Sequence, residues 1–211
     1  MIRTEETTVT RMAGDERRLQ ILRVAERLFS QKGFRGTTTK EIAQAAGVSE
    51  AMVFRHFATK SELYAAIIDQ KACQGNLPEP SCVALEARER KDDYAVFYEL
   101  TLLALNEHEQ NPEFMRLLLH SALENHELSQ MFFERFVVTI YESLGSYIAE
   151  RQRDGVFRQM DPRIVVRAFV GMMIHHSLNN SLWDKERRLL NISNEEAAHS
   201  FAEILLRGVT I

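Results

Sequence analysis

Three helix starts are written into the chain between residues 38 and 59. Thr38, Ser49 and Thr59 each stand where a side-chain oxygen can accept from the first free amides of a helix. Thr38-Thr39-Lys40-Glu41 and Thr59-Lys60-Ser61-Glu62 also have the spacing of a capping box, in which the Glu carboxylate reaches back to the start of the helix. Gly47, just ahead of Ser49, allows the positive φ of a tight turn. This punctuation predicts a short helix from Thr39 to about Ala46, a turn, a second short helix to about His56, and a third through about Ala72. The first two form a helix-turn-helix whose second helix is aimed at a DNA major groove.

The flanking segments are helical too. Leu19, Leu22, Ala25, Leu28 and Phe29 recur at spacings of three and four among charges, and Gly33 supplies a C′ glycine. Residues 1–13, including Arg3 and Arg11, are polar and without period and read as a disordered arm. Gly75-Asn76-Leu77-Pro78-Glu79-Pro80-Ser81 interrupts the chain. Beyond it, helices are expected over Tyr94–Glu109, from Asn111-Pro112 to about Glu124, over Leu128–Arg153, from Asp161-Pro162 to about Trp183, and from the Ser193 cap to about Gly208. The expected fold is all-α with about nine helices. A helix-turn-helix domain occupies 14–72, including the start of the connecting helix, and a larger helical body occupies 73–211.

Composition narrows the function. Cys73 and Cys82 make no disulfide scaffold and lack zinc spacing, so no metal or cofactor is expected. The longest apolar run, Ala168 to Ile174, is too short to span a membrane, and residues 1–8 lack the apolar stretch of a signal peptide. A cytoplasmic protein is expected. Net charge is −4, but residues 1–62 hold 11 Lys/Arg against 8 Asp/Glu and the remainder 15 against 22. A basic front on an acidic body suits a chain whose front alone meets phosphate. With no Gly-x-Gly-x-x-Gly, P-loop or Gly-x-Ser-x-Gly and no evident acid or nucleophile–base pair, no enzyme is expected.

In the second helix of the motif, Val48, Val53 and Phe57 read as core, while Glu50, Ala51, Met52 and Arg55 face outward with the capping Ser49. Arg55 can give paired donors to guanine or meet phosphate; Ala51 and Met52 offer apolar contact to a thymine methyl. Glu50 can accept from cytosine, or serve as a first-turn acid favoured by the helix dipole. Thr38 and Thr39, at a helix N-terminus, suit a phosphate.

Gly33-Phe34-Arg35-Gly36-Thr37-Thr38-Thr39-Lys40-Glu41-Ile42-Ala43-Gln44-Ala45-Ala46-Gly47-Val48-Ser49, followed by Phe54-Arg55-His56-Phe57-Ala58-Thr59-Lys60-Ser61-Glu62-Leu63, resembles the DNA-binding region of TetR-family transcriptional regulators. The likeness covers about the first 70 residues. It implies DNA contacts for Lys40, His56 and Lys60. Ala51 stands where the family often has Gly. Phe54 replaces the usual Tyr and so lacks a hydroxyl for phosphate.

In the body, Leu102, Phe114, Leu118, Met131, Phe136, Phe169 and Met172 can line an apolar ligand cavity or be plain core. His175 with Asn179 and His176 with Asn180 share helix faces. These pairs can orient a ligand, sit at a dimer seam or be purely structural; His176 is placed with the ligand and His175 with the seam. Ala168, Gly171 and His175, then Ala198, Phe201 and Leu205, mark two helices that the resemblance implies pair with a second subunit. The chain is expected to be a homodimeric regulator, most often a repressor, released from a palindromic DNA operator by a hydrophobic small molecule. The alternative is an architectural or nucleoid-associated DNA-binding protein with no inducer.

Overall fold

The computed structural model describes residues 14–73 and 82–211; the arm at 1–13 and the break at 75–81 lie outside the described residues. The punctuation read from the sequence sets the helix ends. The helices are α1 (Gly14–Lys32), α2 (Thr39–Ala45), α3 (Glu50–His56), α4 (Lys60–Cys73), α5 (Cys82–Glu89), α6 (Asp93–Gln110) and α7 (Pro112–Leu123). Then α8 runs through Glu127–Phe132, a π turn at Phe133–Val137, and Val138–Arg153. Next, α9 joins Pro162–Leu178 to a closing π turn at Asn179–Trp183, and α10 spans Asn194–Val209. No strand occurs among the described residues beyond an isolated antiparallel bridge between Phe157 and Thr210. Among the described residues the fold is all-α with ten helices, against the nine or so expected. The addition is α5, an eight-residue helix whose buried positions include Ala84 and Ala87, too small to show as an apolar period.

The Thr38 box closes in both directions, with Thr38 Oγ1 accepting from Glu41 N and the Glu41 carboxylate accepting from Thr38 N at 2.9 Å. At α4 the carboxylate of Glu62 reaches one residue further, to Ala58 N at 2.8 Å, while Thr59 caps Glu62 N. Ser193 and Asp161 cap α10 and α9. Asn111 departs from expectation. Its side chain does not cap α7; it accepts from Lys71 Nζ at 3.0 Å and donates to Glu107 at 2.7 Å.

Two cores result. The first joins Ile21, Leu22 and Phe29 of α1 with Ile42, Val53, Phe57, Leu63 and Tyr64, and it also takes Phe114 and Leu117 from α7 and Leu128 from the start of α8. Helix α7 therefore packs with the N-terminal helices although it lies far along the chain. An ion pair inside this assembly, Lys71 to Glu26 at 3.0 Å, ties α4 to α1. The second core gathers Phe97 of α6, Tyr147 and Ile148 of α8, Val166 and Phe169 of α9, and Ala202 and Val209 of α10. Arg151 braces it, holding Asp93 through Nε at 2.8 Å and Nη2 at 3.0 Å. The π turn of α8 has no buried residue and lies between Leu128 in one core and Leu144 in the other.

Candidate nucleic-acid interface

The loop joining α1 to α2 is fixed before the reading helix is placed. Gly33 takes φ +71°, a conformation that favours glycine, and a Cβ there would lie 2.2 Å from Glu124 Oε1, so a larger residue would displace the Glu124 carboxylate. The other carboxylate oxygen of Glu124, at the C-cap of α7, accepts from the amides of Phe34 (3.2 Å) and Arg35 (3.4 Å). From the opposite direction, Lys60 Nζ donates to the carbonyls of Phe34 and Thr37, both at 2.7 Å, and lies 4.1 Å over the Phe34 ring. The Phe34 ring also packs, tilted by 47°, against His126 at 4.2 Å. Burial lowers the Lys60 pKa, and carboxylates at Glu124 and Glu41 oppose that shift. The Lys60 ammonium, for which the resemblance implies a DNA contact, holds the backbone of the α1–α2 loop.

Past α2, Gly47 at φ +65° turns the chain, and Ser49 Oγ accepts from Met52 N at 3.2 Å to open α3. Val53 and the following Phe57 are buried, which fixes the rotation of the helix. Glu50, Ala51, Phe54 and Arg55 are exposed and Met52 is half-buried, so one face of α3 is open to a groove. Phe54, 46% exposed, is turned to solvent. Among the described residues, Arg55 and Lys40 are exposed and have no hydrogen-bond or ion-pair partner. Glu50 is not free: Thr39 Oγ1 donates to its carboxylate, tying the first residue of α2 to the first of α3. That bond was not legible in the sequence, from which Thr39 reads as a phosphate contact and Glu50 as either a cytosine contact or a first-turn acid. His56 is half-buried, with a buried Nε2 that has no hydrogen-bond partner.

Behind this face, Glu41 bonds Lys32 at 2.7 Å and both the amide and hydroxyl of Thr38. These donors hold its carboxyl down to about 2, so it stays ionised at neutral pH. The arrangement can present backbone amides at the α2 and α3 N-termini, an unpaired guanidinium and an unpaired ammonium to a polyanion, with apolar Ala51 and Met52 between.

The body differs more from expectation. Phe114, Leu118 and Phe136 pack in the first core, whereas Phe169 and Met172 pack in the second; Leu102 and Met131 are half-buried. These residues do not converge on one lining, because the helices that carry them belong to different cores. Of the proposed ligand residues, His176 alone borders the cavity of about 450 Å³ that opens between α6, α7 and α9. His176 bonds Asn180 at 3.0 Å and meets Phe201 edge-on at 5.8 Å. On the proposed seam, Ala168, Gly171 and His175 are exposed along α9. Ala198 and Leu205, by contrast, are buried in their own protomer and Phe201 is half-buried. The exposed apolar residue of α10 is instead Ile204, at 59%. Among the described residues no helix is long and apolar enough to cross a membrane.

Residues 21–67 match the family model for bacterial regulatory proteins of the tetR family, and residues 98–208 match the AefR-like transcriptional repressor C-terminal domain. The chain is 32% identical over 117 residues to YvkB, an uncharacterized HTH-type transcriptional regulator of Bacillus subtilis, covering 47% of this chain and 62% of that protein. It thus spans less than two thirds of that relative. It is 33% identical over 181 residues to the nucleoid occlusion factor SlmA of Vibrio cholerae, covering 80% and 86%. Among solved structures, NalD of Pseudomonas aeruginosa, a secondary repressor of the MexAB-OprM multidrug efflux pump, superposes with a TM-score of 0.67 at 26% identity, covering 94% and 98%.

Proposed function

The chain belongs to the TetR family of bacterial regulatory proteins, and from that premise we propose that it acts in the cytoplasm as a homodimeric repressor on a palindromic operator, released by a small molecule. The observation that carries this reading is the exposed face of α3, set by the burial of Val53 and Phe57. Residues 14–72 read DNA and the chain from 73 onward serves regulation and pairing. Arg55 reads a base edge, with Ala51 and Met52 beside it; Lys40, Thr38, Ser49, Phe54 and His56 flank the backbone. Thr39 and Glu50 position α3 through their shared hydrogen bond. Pairing uses the exposed α9 residues Ile164, Ala168, Gly171 and His175 together with Ile204 of α10.

The test is selection of bound sequences from random DNA, repeated at several salt concentrations, with sedimentation at micromolar protein. The expected consensus is an inverted repeat with half-sites about one helical turn, roughly 34–36 Å, apart or a multiple of it. A consensus without dyad symmetry, or a monomer in sedimentation, refutes the proposal.

A second reading is favoured by the SlmA likeness, which extends over both parts of the chain. On that reading the protein binds DNA as an architectural or nucleoid-associated factor without an inducer. Operator binding that no cavity ligand alters would support it.

A further inference from the structure

The cavity between α7 and α9 has an electrostatic imbalance. Arg116, one turn into α7, lines it, is half-buried, and has no hydrogen-bond or ion-pair partner among the described residues. Lys185 on the rim is also unpaired. Glu109, an exposed acid of the same wall, is already paired: one oxygen meets Arg187 and the other accepts from Asn194 Nδ2 at 2.6 Å. Glu113 is exposed on the rim. The N-terminus of α7, which opens at this point, offers little to an anion: Pro112 has no N–H, the Phe114 and Met115 amides donate to the Asn111 carbonyl, and Glu113 stands in the first turn. Two cations without a partner among the described residues, Arg116 and Lys185, make this wall an environment for an anion.

The surroundings add a second requirement. Ser177, buried and bonded to His108 at 2.8 Å, and buried Asn194 form polar parts of the wall. A smaller space of about 180 Å³ shares His176 and Asn180 with the first and is walled by Leu190, Ile192 and Phe201. Polar and cationic walls on one side and apolar walls on the other fit a molecule with both characters.

We propose that these two adjoining cavities bind an amphipathic anion, with a carboxylate-type head on Arg116 and Lys185 and a short apolar tail toward Phe201. The ligand then bridges α7, which packs in the first core, and α9, which packs in the second. Its use as an inducer rests on the repressor reading above; its binding does not.

Isothermal titration of the full-length protein with hexanoate, hexanamide and hexylamine tests the site. Hexanoate should bind at least ~10-fold tighter than either analogue, as loss of a charge-assisted contact implies. Arg116→Gln should remove that preference while leaving hexanamide unchanged, and Lys185→Gln should weaken hexanoate by a smaller factor. Thermal melts of both variants check that they fold. Equal binding of the three compounds, no binding by hexanoate at millimolar concentration, or an unchanged preference in a folded Arg116→Gln protein would overturn the proposal. Anisotropy of the selected operator with and without hexanoate separates the two claims. Hexanoate binding without operator release would leave the anion site standing and count against the inducible repressor. Operator binding with no hexanoate site would do the reverse.

Discussion

Lys60→Ala distinguishes a DNA contact from a structural clasp. In the structure the ammonium donates to two carbonyls at 2.7 Å and lies 4.1 Å over the Phe34 ring. Hydrogen bonds to a charged group contribute about 1.5–3 kcal/mol each, and a partly exposed cation–π contact about 0.5–1 kcal/mol. Two effects reduce the sum. Arg35 and Gly36 are exposed, so water can reach the loop and replace part of the bonding. Burial also lowers the Lys60 pKa, a desolvation cost that the deletion relieves. The net loss of folding stability should be about 2–3 kcal/mol. Urea unfolding followed by helical circular dichroism reads it directly. The second readout is the slope of log affinity against log salt on random DNA, which a lost phosphate contact lowers by ~0.9. The clasp predicts lower stability with an unchanged slope. A variant within ~0.5 kcal/mol of the parent in stability, with a slope reduced by ~0.9, would refute the clasp.

Phe54→Tyr should tighten binding to operator and random DNA alike by about 1 kcal/mol, because the exposed ring can carry a hydroxyl to phosphate; weaker binding in anisotropy would show that the backbone path holds the ring away. Arg55→Ala should cost roughly 1–3 kcal/mol on operator and relax one position per half-site in repeated selection, and equal losses on random DNA would remove its base-reading role. Stability should fall as pH drops from 6.5 to about 4, because burial pushes His108 down to about 4 and the unfolded chain then binds the proton that the folded chain excludes. The contribution is on the order of 3 kcal/mol, fully present above 6.5, and unfolding titrations of His108→Gln should show a flatter profile over that window.

The local rules were legible and the distant partners were not. Thr38, Gly47 and Ser49 obey constraints within four residues of themselves, so their positions alone fixed α2, the turn and α3. Val53 and Phe57 followed from helical period. The carbonyl contacts of Lys60 were not legible because a lysine at a helix start carries no mark of what faces it; the carbonyls it holds lie 23 and 26 residues earlier. Glu124 meets its amides across 89 and 90 residues, which no periodicity encodes. The cavity was missed for a related reason. Apolar stripes mark cores, whereas this wall includes an irregular segment where buried Asp184 accepts from the amides of Arg188, Leu189 and Leu190.

The two cores bear on how a ligand in the body could reach the DNA-facing helix. Helix α7 carries Arg116 near one end and Glu124 at the other, and its middle, at Leu117, is buried with α1 and α4. Its 12 residues make a rod of about 18 Å. A tilt of about 5° around one end moves the other by ~1.6 Å, more than the Glu124 bonds to Phe34 and Arg35 can absorb. That end holds the loop from which α2 begins, and α2 is tied to α3 through Thr39 and Glu50. The π turn of α8 lies between the two cores, with Phe136 packed against the first. On the anion proposal, a ligand joining Arg116 to the α9 side would therefore act on the angle between the cores, and the reading helix would follow α7 because both belong to the first core.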